Sequence, residues 1–92
     1  MKYCVYSVRD KLTGYLNMFL ERSDAHATRN FSIIVNDDTS VISSCPGDYD
    51  LYRIGSFDTV SGCLSGDIPE FVVSAGSLWN SKDSISVKED NK

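Results

Sequence analysis

The sequence lacks nearly every pattern that announces catalysis or covalent cross-linking. It holds a single histidine, His26, and three cysteines, Cys4, Cys45 and Cys63, an odd number without a CxxC pair. That spacing excludes a disulfide framework and the common zinc sites, and predicts free thiols in a reducing compartment. No GxxxxGK[ST] loop, no GxGxxG turn and no HExxH pair occurs, which removes the usual signatures of nucleotide and metalloprotease chemistry. A Cys–His nucleophile pair needs a thiol held against His26 and oriented by a third group, and nothing in the spacing supplies one. The cysteines therefore read as small hydrophobes or bystanders, and neither catalytic residue, metal nor cofactor is predicted. No apolar run reaches 18 residues and the opening stretch lacks the apolar centre of a signal peptide, so a soluble cytosolic protein without a membrane association is expected.

Positive charge is scarce as well. The chain carries nine Lys and Arg against 13 Asp and Glu, a net charge of −4 with a pI near 4.7, which excludes a uniformly basic surface. The distribution is uneven. Residues 1–36 carry Lys2, Arg9, Lys11, Arg22 and Arg29 against Asp10, Glu21 and Asp24, a net +2. Residues 37–79 set Arg53 against seven carboxylates, a net −6, and the remainder sums to zero. A bound polyanion would thus meet the first half, while the acidic second half would exclude it or recruit a basic partner.

What remains is ordinary globular material. In 92 residues, 41% are hydrophobic and 11% aromatic, enough for one small core without staples. Tyr3 to Val8 and Tyr15 to Leu20 are rich in β-branched and aromatic residues and flank a turn ending in Gly14, so they predict a β-hairpin. Ser23 offers an N-cap and Asp24 a first-turn negative charge ahead of Ala27, Phe31, Ile34 and Val35, which predicts one helix over 24–35 with His26, Arg29, Ser32 and Asn36 outward. Val41-Ile42 suggests a short helical turn. Strands follow at Tyr49 to Phe57, Cys63 to Ser65 and Phe71 to Ala75, with Pro69 at a strand start or a sheet edge. The order ββαβββ predicts an α+β domain over 1–76, an antiparallel sheet or partly closed barrel of about five strands with one helix. A polar, flexible tail is expected over 77–92, with Trp79 at its root.

Two constellations carry chemical interest. Asp48 and Asp50 flank Tyr49 and would share a strand face, where they could hold a hard cation. Without EF-hand spacing, a solvated or turn-stabilising role is the reading adopted. Rings and cations interleave more suggestively: Lys2, Tyr3, Arg9, Lys11, Tyr15 and Arg22 lie on the hairpin, Arg29 on the helix and Arg53 beside Tyr52. Such interleaving suits single-stranded nucleic acid, whose bases stack on rings while cations follow the phosphates. Alternation puts Tyr3, Val5, Ser7 and Arg9 on one face and Cys4, Tyr6 and Val8 on the other, so Tyr6 is the core candidate. The competing reading is that the tyrosines fill a half-buried sheet.

The string Pro46-Gly47-Asp48-Tyr49-Asp50-Leu51-Tyr52-Arg53-Ile54-Gly55-Ser56-Phe57-Asp58 has a further meaning. Together with Tyr6-Ser7-Val8-Arg9-Asp10-Lys11-Leu12-Thr13-Gly14 and Ala27-Thr28-Arg29-Asn30-Phe31, it resembles the small non-structural protein of gokushoviruses, Microviridae bacteriophages with circular single-stranded DNA genomes. The resemblance spans about Met1 to Ala75 and includes Ile68-Pro69-Glu70. It implies a protein made in the host bacterial cytoplasm, similar in size and gene position to the microvirus protein that switches replication toward single-stranded genome synthesis and packaging. It also implies a DNA-binding role and brings no catalytic residue with it. Single-stranded DNA is accordingly the expected partner, at Lys2, Tyr3, Arg9, Lys11, Tyr15, Arg22, Arg29 and Arg53. About four phosphate contacts would give a salt slope on the order of −3. A homo-oligomer is expected through an unguarded edge strand. The alternative is a protein–protein adaptor or scaffold that recruits replication or capsid-assembly proteins, or a host polymerase component, through the acidic half and Trp79.

Overall fold

The computed structural model describes residues 1–80. Strands β1 (Lys2–Asp10) and β2 (Gly14–Glu21) form the expected hairpin. Its turn is closed by Gly14 at φ +110°, a left-handed conformation that costs a glycine little. Helix α1 (Asp24–Val35) begins where the N-cap rule places it: the Ser23 hydroxyl accepts from the His26 backbone N–H. A short helix α2 (Val41–Ser44) and a 3-10 turn (Pro46–Asp48) lead into β3 (Tyr49–Asp58). Strand β4 (Leu64–Ser74) returns antiparallel to it, and α3 (Ala75–Leu78) follows.

The sheet is open, with order β2-β1-β3-β4 and every pairing antiparallel. This corrects the expectation of about five strands and a partly closed barrel. Ala75 begins α3, and the two expected strands Cys63 to Ser65 and Phe71 to Ala75 are replaced by one edge strand, Leu64–Ser74. Pro69 does not interrupt it, because an edge strand has one side that needs no ladder donor. The extra residues around Pro69 are taken up where the register shifts between Arg53↔Glu70 and Gly55↔Gly66.

Ala27, Phe31 and Val35 recur every fourth residue and form the buried stripe of α1. They pack on Tyr6 and Val8 of β1 and on Tyr49 and Leu51 of β3, with Ile42 and Ala75 closing the ends. Ile34, expected in this stripe, is 45% exposed, and Ile33 beside it is 66% exposed. The stripe is narrow because α1 meets only one half of the sheet. Asn36, expected to face outward, instead caps α1: its backbone N–H and side-chain amide both donate to the Ser32 carbonyl. The same amide donates to the Leu78 carbonyl, and the Asn36 side-chain oxygen accepts from the Asn80 N–H at 2.7 Å. Residues 77–80, expected as the start of a flexible tail, are thus tied to the end of α1. Positions 81–92 of that expected tail lie outside the described residues.

Candidate nucleic-acid interface

The two faces of the sheet differ in cover. One packs against α1, and the other has no element of the described chain over it. Which face each residue takes is set by alternation and by four register shifts. On β1 the alternation is regular, so Tyr3, Val5, Ser7 and Arg9 take the open face while Tyr6 and Val8 enter the core.

On β2 the register changes between Ser7↔Met18 and Arg9↔Tyr15. This bulge turns Tyr15 onto the same face as Met18, where plain alternation would oppose them. The buried Ser7 hydroxyl holds it by donating to the Leu16 carbonyl at 2.8 Å. On β3 a second shift, between Val5↔Gly55 and Tyr6↔Arg53, leaves Ile54 as the odd residue. Phe57 and Tyr52 consequently share the open face, and Arg53 is turned to the helix side. A shift on β4 brings Phe71 opposite Tyr52.

The outcome is a row of rings across the sheet. Tyr15 meets Tyr52 edge-to-face with centroids 5.5 Å apart, and Tyr52 meets Phe71 the same way at 5.8 Å. Both geometries satisfy the ring quadrupole. The outer members stay accessible, Tyr15 at 48% and Phe71 at 55%. Arg9 lies opposite Tyr15, and Lys11 sits in the adjoining turn, where its ammonium donates to the Gly47 carbonyl at 2.8 Å.

The eight residues singled out from sequence therefore do not form one strip. Arg9 and Tyr15 come together at the turn end of the hairpin, with Lys11 in the adjoining turn. Tyr3 shares their face but lies six residues from Arg9 along β1, roughly 20 Å at strand rise. Lys2 is at that far end, opposite Asp58. Arg22 follows β2, exposed, and Arg29 is exposed on the outside of α1.

Arg53 is the clearest departure. Its guanidinium bonds both carboxylate oxygens of Asp24, at 3.0 and 3.1 Å, and also pairs with Glu70. Its pKa is raised further, chiefly by the charge of Asp24. A cation held between two carboxylates has little field left for a phosphate. Asp24, on the first turn of α1, also accepts from the buried Tyr6 hydroxyl at 2.6 Å. This network pins the helix start to the sheet. Tyr52 and Phe71 were missed as site residues because bulges, invisible in a periodic pattern, decide which of two adjacent strand residues faces out.

Burial first, and then the hydrogen bond to Asp24, push the Tyr6 phenol well above its ordinary range. A phenol that stays protonated when folded and ionises near pH 10 when unfolded stabilises the fold below pH 10, and that stability drains away as pH rises further. Alkaline titration followed by tyrosinate absorbance should show Tyr6 ionising late, together with loss of the folded circular-dichroism signal. Tyr6→Phe should remove that late step.

The remaining chemistry-bearing side chains stay apart. His26 Nδ1 lies 2.8 Å from the Ser23 hydroxyl, Cys4 is half-buried with its Sγ 3.9 Å from the Arg22 carbonyl, and Cys45 and Cys63 are exposed. Asp48 ends the 3-10 turn, and Asp50 is nearly buried on β3 opposite Arg9. Among the described residues no three His, Cys, Asp or Glu side chains gather into a metal-sized group, and no helix is long and apolar enough to cross a membrane.

An open four-stranded sheet, with one helix behind it and rings across its free face, defines a small α+β domain whose most distinctive surface is that face. The family model described as Phage ORF5 protein matches residues 3–78. The chain belongs to this family and is a bacteriophage protein. No curated protein and no solved structure matches it.

Proposed function

We propose that this phage protein is a non-enzymatic, single-stranded DNA-binding protein of the gokushovirus type. In this reading it acts in the host bacterial cytoplasm as replication turns to single-stranded genome synthesis or packaging. The observation that carries the reading is the accessible row Tyr15–Tyr52–Phe71 on the uncovered sheet face. Rings held on a rigid sheet give bases a stacking surface without sequence preference, and Arg9 and Lys11 beside Tyr15 offer phosphate partners. With two such cations in place of four, the salt slope is roughly −1.4 at about −0.7 per contact. Affinity then rests on stacking more than on charge, which fits a chain with a net charge of −4.

Titration with oligo-dT at about 50 and 200 mM salt, followed by intrinsic fluorescence, tests this. Tyr15→Ala and Phe71→Ala should each weaken binding about 5- to 150-fold, the equivalent of about 1–3 kcal/mol per stacked base. Arg53→Ala should leave affinity nearly unchanged. Absence of binding at the lower salt, or equal losses for Arg53→Ala and Tyr15→Ala, would overturn the reading. The second reading, an adaptor for viral replication or capsid-assembly proteins, draws on a different surface: Ile33 and Ile34 on α1, with Trp79 exposed after α3.

A further inference from the structure

The open face has a second zone. At the ring end, α1 packs the other side of the sheet. Past the Cys4–Glu21 row, where Glu21 accepts from Asn30 of the helix and Cys4 touches the core, α1 does not, and the helix-side positions Lys2, Ser56, Asp58 and Ser65 are polar. The apolar side chains of this half, Val5, Leu20, Phe57 and Leu64, all project to the open face. A sheet with one apolar face needs a second layer to bury it. Within the described residues nothing supplies that layer here.

Val5 is only 2% exposed because its neighbours close over it, yet Met18 and Leu64 above it remain 61% and 60% exposed. Between them run two shallow grooves of about 260 and 200 Å³, lined without a single charged residue.

The glycines show what shape fits. Gly55 and Gly66 are cross-strand partners. Gly55 is explained within the domain, since a Cβ there would lie 2.2 Å from the Ser65 carbonyl oxygen. Gly66 is not: its φ is not positive and a Cβ would meet nothing within 4 Å. The bare row Gly55–Gly66 adjoins the bulky row Phe57–Leu64, one side-chain repeat along the strands. A two-fold axis crossing the strands between these rows would lay each bulky row of one chain over the glycine row of another.

We propose that a second copy of this chain covers the zone, in a symmetric face-to-face dimer seated on Phe57, Leu64, Gly55 and Gly66. Neutrality favours a like partner: two chains of net charge −4 repel least through an uncharged patch, and a charged partner finds no counter-charge there. Size suits a weak contact. Strands β1, β3 and β4, about 4.8 Å apart, and about five residues of roughly 3.3 Å give about 240 Å² in projection per copy, since β2 ends opposite Cys4. With side-chain relief this is on the order of 800 Å² in total, the scale of a weak, reversible interface. The ring rows lie past the partner's last row, so dimerisation stands independently of DNA binding and leaves two ring rows at opposite ends.

Sedimentation velocity of the full chain over rising concentration, for wild type, Gly66→Val, Leu64→Lys and Ile33→Lys, tests this. Wild type should pass from monomer to dimer. Gly66→Val, which fills the trough without a clash in the monomer, and Leu64→Lys should weaken dimerisation at least about tenfold, as expected when a good apolar contact is lost. Both should keep the wild-type circular-dichroism spectrum. Ile33→Lys, on the outside of α1, should dimerise like wild type. A wild type that stays monomeric throughout, or a Gly66→Val dimer as tight as wild type, overturns the proposal. Loss of oligo-dT binding with an intact dimer would sink only the DNA reading.

Discussion

Phe31→Ala should lower the unfolding free energy by about 3–5 kcal/mol, read as a fall in the urea midpoint with little change in slope. Phe31 is fully buried at the centre of the α1 stripe, between Ala27 and Val35, and it belongs to the cluster formed with Tyr6, Val8, Tyr49 and Leu51. Truncation removes the transfer free energy of the ring and leaves a cavity that a sheet on one side and a helix on the other cannot collapse into. A domain of this size has roughly 4–12 kcal/mol of stability in all. The loss is therefore about a quarter or more of the total. Ile34→Ala, three residues on and 45% exposed, should cost under about 1 kcal/mol, since surface positions away from packing defects change stability little. Equal losses for the two variants would mean that α1 docks through a wider stripe than described.

Gly55→Val should disrupt the β3–β4 pairing, with a loss of about 3 kcal/mol or more, at the upper end of overpacking effects. A Cβ at this position would stand 2.2 Å from the Ser65 carbonyl oxygen and 3.3 Å from the Gly66 Cα. The obstruction is backbone, which cannot rotate away as a side-chain tip would. The strands must separate locally, and the amides of the outer half of the hairpin should lose hydrogen-exchange protection first. Gly66→Val, directly across the ladder, should be nearly neutral to the isolated domain, because a Cβ there meets open space. The contrast between two adjacent glycines is the check: a destabilisation of similar size at both would contradict the close approach at Gly55.

Much of the architecture was legible because local signals agreed with one another. Ser23 and Asp24 start α1, and Gly14 closes the hairpin by reaching a backbone conformation that other residues rarely adopt. Regular alternation along β1 correctly separated the buried Tyr6 and Val8 from Tyr3 and Arg9. Period-based reading failed where the strands are irregular. A single residue more on one strand than on its neighbour reverses the face of everything beyond it. Ile54 does this on β3, exchanging the roles of Tyr52 and Arg53, and the bulge beside Ser7 does it for Tyr15. The fifth strand was lost for a related reason, since Pro69 reads as a break but stands on an edge where it breaks nothing.

The amino acids alone determined the helix, its N-cap, the leading hairpin, the scarcity of cations and membership of a phage protein family. Those are properties of neighbouring residues, or of composition, and neither needs a partner distant in the chain. Tertiary structure decided that Arg53 is engaged by Asp24 and Glu70, that Tyr15, Tyr52 and Phe71 stand in one row, and that no element of the described residues covers the open face. Each of these depends on register between strands remote in sequence. Register is set by which bulges allow the core to close, a condition satisfied by the whole sheet at once and written in no single segment of it.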